Sequence, residues 1–332
     1  MLAPVSITGI GKCVPQKVVT NDELTKFVET SDEWISKRTG IRSRHVAVEE
    51  TATSLAVSAA KDALAMSGEA PESVGVIVAC TITGDELTPS LAGRVQKALK
   101  IPACAAMDVS AGCTGFVYAL VTAASLMDTL NQDVAIVVAS EIMTKYCDWT
   151  DRATCVLFGD GAGALVLKRS EVAHLLHPIL SATPDTDDVI VVKKEARSTP
   201  FAGEVDPKRE SIRMKGADVF TYAVAVLEKT LGDLSARCGD HPIDKIVPHQ
   251  ANEKIIDFVI RTMKFQREQF FVNIANYANT SSASIPIALC DAMESGWLNA
   301  GDRVAIAGFA SGLTSGGAVI DWTIQNKADK KD

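Results

Sequence analysis

The chain is poor in aromatic residues: Phe, Trp and Tyr make up 5% of its 332 residues. A core of that composition is built from Ala, Val, Leu and Ile, which suits closely stacked helices and buried parallel strands. Positive charge is also short. With 33 Lys and Arg against 41 Asp and Glu, the formal net charge is −8. That balance argues against nucleic acid as the partner, because phosphate binding needs basic surface. No apolar run reaches the roughly 18 residues that span a bilayer. The opening MLAPVSITGIGKCVP, broken by Pro4, lacks the charged start and apolar core of a secretory signal. The expectation is a cytoplasmic protein with no nucleic-acid or membrane partner. None of the eight cysteines forms a CxxC pair, so reduced, mostly buried thiols are expected. There is no P-loop or dinucleotide fingerprint. His174 and His177 lie three apart without further ligands nearby, so no metal site is expected.

What is present is ordinary for a globular protein: 47% hydrophobic and 22% charged residues. Apolar runs of strand length recur at Val74–Cys80, Val134–Ser140, Ala162–Leu167, Lys245–Pro248, Phe271–Ile274 and Val304–Gly308. Helical periodicity fills segments between them, as at Thr53–Ala65 and Gly115–Leu130. Alternating strands and helices predict an α/β fold with largely buried sheets.

The chain also echoes itself. Asp133-Val-Ala-Ile136 returns as Asp302-Arg-Val-Ala-Ile306, and each precedes a predicted Gly-rich hairpin, at Phe158–Leu167 and Gly312–Ile320. The strand ending at Cys80 matches the one running into His249, 169 residues later, and Ala105–Val109 matches Phe271–Ile274 at a similar offset. Three pairs in one order point to duplication. The expected organisation is an N-terminal half over 1–172, an irregular connection over 173–212 that holds Pro178, Pro184, Pro200 and Pro207, and a C-terminal half over 213–332. In α/β folds functional residues collect at strand ends. Cys113, His249 and Asn279 all follow such ends.

Cys113 sits in DVSAGCTGFVYAL (Asp108–Leu120): strand, small residues, then an amphipathic helix. A cysteine at a helix N-terminus feels the positive end of the dipole, which predicts a lowered thiol pKa. His249, in VPHQANEKII, closes an apolar strand, where a neutral imidazole suits donation to a developing oxyanion or acceptance of a proton. Asn279, in NYANTSSASIP, offers an amide donor of fixed direction. A polar turn capping a helix is the plainer account of that last segment.

Together these segments resemble the three signatures of the β-ketoacyl-acyl carrier protein synthase III family. The likeness extends through TSDEWISKRTGIRSRH (Thr30–His45), CDWTDRATCVLFGDGAGA (Cys147–Ala164) and IRMKGADVF (Ile212–Phe220). It implies the thiolase-like fold, with duplicated βαβαβ halves in a five-layered αβαβα stack, and a homodimer. It also implies an acyltransferase: Cys113 takes an acyl group from acyl-CoA, and malonyl-acyl carrier protein then loses CO2. His249 and Asn279 stabilise the resulting enolate. Both compounds are substrates, so no cofactor is implied. By the same likeness the backbone N–H groups of Cys113 and Ser311 form an oxyanion hole. Trp34, Arg38 and Arg152 hold coenzyme A, and Lys254, Arg261 and Lys264 meet the acidic carrier protein.

The chain departs from the family at several positions. Ala310 and Ser311 stand where glycines are usual, Ser315 replaces a usual tryptophan, and Ala278 precedes Asn279 where glycine is commoner. These changes narrow backbone freedom. Thr88 falls where some relatives place a phenylalanine that closes the acyl pocket, which predicts a starter longer or bulkier than acetyl. A specialised paralogue of secondary metabolism, or a non-decarboxylating acyltransferase, are the alternatives. The intact Asn279 weighs against the second.

Overall fold

The computed structural model describes residues 4–192 and 211–325. Its strands are β1 (Val5–Cys13), β2 (Lys17–Thr20), β3 (Ser43–Val46), β4 (Val74–Cys80), β5 (Ala105–Val109), β6 (Val134–Ile142), β7 (Asp160–Arg169), β8 (Leu175–Ala182), β9 (Ile190–Val191), β10 (Arg213–Met214), β11 (Lys245–Pro248), β12 (Arg303–Phe309) and β13 (Thr314–Asp321). The helices are α1 (Asn21–Leu24), α2 (Asp32–Thr39), α3 (Ala52–Ser67), α4 (Leu91–Ala98), α5 (Gly115–Thr129), α6 (Gly216–Cys238), α7 (Glu253–Met263), α8 (Ile274–Tyr277) and α9 (Ser284–Glu294).

Two sheets carry the fold. The first runs β1-β7-β6-β4-β5 and the second β8-β13-β12-β11. Position for position they repeat one plan: β4 and β6 pair parallel, as do β11 and β12, and an antiparallel strand follows each time. One apolar cluster joins β1, β4, β6 and β7 to β11, β12 and β13 through α5 and α9, which lie between the sheets. Helices α3 and α4 cover the outer face of the first sheet, and α6 and α7 that of the second. The result is five layers, helix–sheet–helix–sheet–helix. The low aromatic content has its explanation here. α3 buries Ala52, Ala56, Ala59, Ala60 and Ala63, and such small side chains let it lie close to the sheet. α5 buries Phe116, Val117, Leu120, Ala123, Ala124 and Met127 on one broad side, while Tyr118, Val121, Thr122 and Ser125 on the other are half-buried.

Three sequence expectations need correction. The stretch 173–212 is not irregular throughout, because β8 pairs with β13 as the edge of the second sheet. The chain therefore changes sheets between Arg169 and Leu175. Pro200 and Pro207 lie outside the described residues. Secondly, the predicted hairpin at Phe158 is no tight turn: residues 143–159 leave the sheet between β6 and β7. Thirdly, Phe271–Ile274 forms no strand. The segment touches β11 at a single bridge, Ile246 to Phe270. Beyond it the Gln250 side chain replaces the ladder, with Nε2 donating to the Phe271 carbonyl at 3.2 Å and Oε1 accepting from the Asn273 N–H at 3.1 Å. A side-chain amide has one donor group and one acceptor, enough to mimic one peptide of a neighbouring strand.

Candidate active site

Cys113 lies in the turn between β5 and α5. The turn needs glycine at 112, where φ is +53°, and a Cβ there would stand 3.0 Å from Ala310 Cβ and Ser311 Oγ. The Cys113 turn is thus pressed against the loop between β12 and β13. Thr114 Oγ1 and Thr314 Oγ1, 2.8 Å apart, stitch the two together. The expected lowering of the thiol pKa is not what the structure shows. Burial pushes the Cys113 thiol up to about 12, against a pull downward from the Ser281 hydroxyl, and the Glu141 carboxylate pushes it further. Loss of water outweighs the helix end because the dipole favours a charge only modestly.

His249 leaves β11 fully buried, with its backbone N–H donating to the Ala307 carbonyl at 2.8 Å. Its ring packs edge-on against Phe309, and burial lowers its pKa to about 3, so the imidazole is neutral. Nδ1 lies 2.6 Å from Ser284 Oγ. That oxygen already accepts the Gln250 N–H at 3.3 Å, and no other acceptor for its single hydrogen is found among the described residues. Ser284 therefore donates to Nδ1, which leaves the proton of the imidazole on Nε2. In a Ser284→Ala variant the 15N shifts of the ring are expected to show both tautomers, where the unaltered protein shows the Nε2–H form alone. An unchanged spectrum would remove Ser284 from this role.

Asn279 is 8% exposed, and its Oδ1 accepts the Ser281 N–H at 2.8 Å. Nδ2, a donor, is the atom left for the cavity. The backbone on either side is strained. Ala278 holds φ 57° and ψ −158°, a region that is essentially glycine's, and Ser281 has φ 52°. The departure at 278 is thus a real conformational cost. The one at 310 is not, since Ala310 is extended at φ −153°.

Cys113, His249 and Asn279 line one cavity of about 420 Å³, together with Ser311. The rest of its wall is largely apolar and includes Met143, Phe158, Ile190, Ile212 and Phe309. Thr88 is not on that wall; it sits on an exposed loop of the same chain. Trp34, Arg38 and Arg152 form one cluster, with the two guanidinium carbons 4.4 and 5.0 Å from the Trp34 ring centre. Arg152 comes from the 143–159 excursion and is held by the Glu29 carbonyl at 3.1 Å. The helix α2, which carries Trp34 and Arg38, ends on Gly40 packed against Glu253 at the start of α7. On α7, Asn252 caps the helix and lines the cavity beside Ile255. Lys254 and Arg261 are exposed on α7 and Lys264 is exposed at its cap. Lys254 is only 3.7 Å from Asp257, and Arg261 stacks on Phe258. The cations of α2 and α7 thus sit on two elements that meet at Gly40 and Glu253, next to the Asn252 that lines the cavity. All eight cysteines are unpaired, and among the described residues no group of His, Cys, Asp or Glu could hold a metal ion. Sequence reasoning missed Ser284 and Glu141, both of which act across large sequence separations.

Two family models match the chain: 3-oxoacyl-[acyl-carrier-protein (ACP)] synthase III over residues 107–184, and the C-terminal part of the same enzyme over 235–322. The chain is 43% identical over 321 residues to the β-ketoacyl-[acyl-carrier-protein] synthase III of Thioalkalivibrio sulfidiphilus, covering 95% of this chain and 98% of the relative. It is similar to the crystal structure of 3-oxoacyl-(acyl carrier protein) synthase III from Pseudomonas aeruginosa, with a TM-score of 0.89, 34% identity and coverage of 97% and 99%. It is also similar to the priming β-ketosynthase of a polyketide biosynthetic pathway, with a TM-score of 0.89, 30% identity and 97% of each chain covered.

Proposed function

The chain belongs to the 3-oxoacyl-[acyl-carrier-protein] synthase III family, and from that membership we propose how its residues divide the work. It is a condensing acyltransferase, a β-ketoacyl-acyl carrier protein synthase III that initiates fatty acid synthesis. In our reading Cys113 attacks an acyl-CoA thioester and keeps the acyl group while the CoA thiolate leaves. Malonyl-acyl carrier protein then enters and loses CO2. His249 Nε2–H and Asn279 Nδ2–H donate to its thioester carbonyl, so that the electrons released by decarboxylation rest as an enolate. The enolate carbon attacks the acyl-Cys113 carbonyl, whose oxygen turns toward the N–H groups of Cys113 and Ser311, and the sulfur leaves. The observation that carries this reading is the meeting of Cys113, His249 and Asn279 on one largely apolar cavity. A dry wall strengthens each donor.

The Trp34, Arg38 and Arg152 cluster suits the adenine and phosphates of coenzyme A, through stacking and charge. Lys254, Arg261 and Lys264 suit an acidic carrier protein. The starter we propose is longer or bulkier than acetyl, in keeping with the largely apolar cavity of about 420 Å³ beside Cys113. A homodimer fits the open outer edge of β5, where Met107 is 38% exposed and Leu87 nearby 81%. We place the enzyme in the cytoplasm, where eight unpaired thiols persist. The likeness to a polyketide-priming synthase supports a second reading, a specialised paralogue with an unusual starter.

Incubation with acetyl- to decanoyl-CoA, followed by intact mass, tests both readings. We expect an acyl adduct from donors longer than acetyl. Acetyl transfer alone would overturn the pocket argument, and no adduct from any donor would overturn the acyl-enzyme.

A further inference from the structure

Glu141, one residue before the end of β6, is a fully buried carboxylate that does not line the cavity. Five donors from two segments meet its oxygens. Oε2 accepts from Thr81 Oγ1 at 3.3 Å, the Ile82 N–H at 3.1 Å and Thr83 Oγ1 at 2.6 Å. Oε1 accepts from Ser281 Oγ at 3.3 Å and Ser282 Oγ at 2.6 Å. The threonine hydroxyls have little choice of direction. Thr81 Oγ1 already accepts the Thr83 N–H and Thr83 Oγ1 the Ile142 N–H, so their hydrogens are free for Glu141. A site with five donors and no acceptor suits the ionised form. Burial raises the carboxyl pKa and these hydrogen bonds oppose the rise. The ionisable groups facing it are the thiols of Cys80 and Cys113, and Asp108 acts on Cys80 from β5.

What Glu141 holds is the Asn279 loop. Ser281 is gripped twice, its N–H by Asn279 Oδ1 and its hydroxyl by Glu141, in a left-handed conformation it would not choose alone. The other side of the clamp, Thr81–Thr83, supplies Ile82 and Thr83 to the cavity wall. We propose that Glu141 is a positioning residue for condensation: as a carboxylate it anchors Ser281 and Ser282, and so fixes the direction in which Asn279 Nδ2 donates. This rests on the role proposed above for Asn279.

The test compares the full-length protein with Glu141→Gln, Glu141→Asp and Ser282→Ala. Three quantities are read: Cys113 acylation by intact mass, decarboxylation of malonyl-acyl carrier protein, and the pH profile of Cys113 alkylation by iodoacetamide. Glu141→Gln is expected to lower decarboxylation about 10- to 100-fold, less than deleting the donor itself. Acylation is expected to stay within about threefold. The alkylation profile is expected to move to lower pH, because a negative charge near the sulfur is gone. Glu141→Asp keeps the charge and so the original profile, and recovers part of the decarboxylation. Ser282→Ala, which leaves the carboxylate in place, lowers decarboxylation selectively even if Glu141→Gln fails to fold. Equal losses in both half-reactions, or decarboxylation unchanged in every variant, overturn the proposal. A parent protein that forms no adduct and releases no CO2 would instead overturn the function on which it rests.

Discussion

Cys113→Ala is expected to form no acyl adduct with any acyl-CoA and to lose condensation by at least about 10³-fold, the scale on which removal of a covalent nucleophile is felt. Decarboxylation of malonyl-acyl carrier protein is expected to survive in the same variant. That step needs an oxyanion site, and both donors have anchors other than the sulfur: His249 is held by Ser284 and Ala307, and Asn279 by the Ser281 and Leu157 backbone. Intact mass and CO2 release measured side by side separate the two half-reactions. Loss of both would mean that the sulfur organises the donors as well as carrying the acyl group. In the parent enzyme the thiol near 12 gives a sign for pH. Below that value the thiolate fraction rises tenfold per pH unit, so acylation should quicken from pH 6 to 9. A rate flat across that range would show that the proton leaves during attack rather than before it.

The second large effect falls on His249→Ala. Losing one preorganised donor costs about 10²–10³ in rate, or about 2.7–4 kcal/mol. Condensation and decarboxylation should drop by that factor while Cys113 is still acylated. The same residue sets an acid limit on the fold. Its folded pKa is about 3 against an ordinary 6.5. The folded state thus binds fewer protons than the unfolded state throughout that window. Stability contributed at neutral pH is lost as pH falls from about 6.5 toward 3. His249→Ala removes this term, so denaturant midpoints at pH 4 and pH 7 should differ less in the variant than in the parent. Equal differences would place the titration elsewhere. Above pH 5 the imidazole stays neutral, so no limb of the rate profile between pH 5 and 8 should come from it.

Much of the fold was legible because it rests on local pattern. The run VGVIVAC is a strand buried on both faces, and β4 has those very bounds, Val74–Cys80. The alanine-rich periodicity around Thr53–Ala65 is α3. Duplication could be read from equal offsets between apolar runs, and the two sheets do repeat one strand order. Phe271–Ile274 shows where this reading stops. Its residues suit a strand, but Gln250, 21 residues away from Phe271, takes the ladder's place with a side chain. No periodicity reports that.

The site divides in the same way. By itself the sequence singled out Cys113, His249 and Asn279 by residue type, as a candidate nucleophile and two candidate donors, and the structure brings all three to one cavity. Only the tertiary structure decided their state. Burial raises the Cys113 thiol where the helix end alone predicted a fall, since desolvation depends on everything packed around the sulfur. The tautomer of His249 is set by Ser284, 35 positions on. Asn279 is oriented through Ser281, and Ser281 is held by Glu141, 140 positions back in the other half of the duplication. Residue type is local information, whereas charge, tautomer and direction depend on solvent exclusion and hydrogen-bond partners, which exist only once distant segments have met.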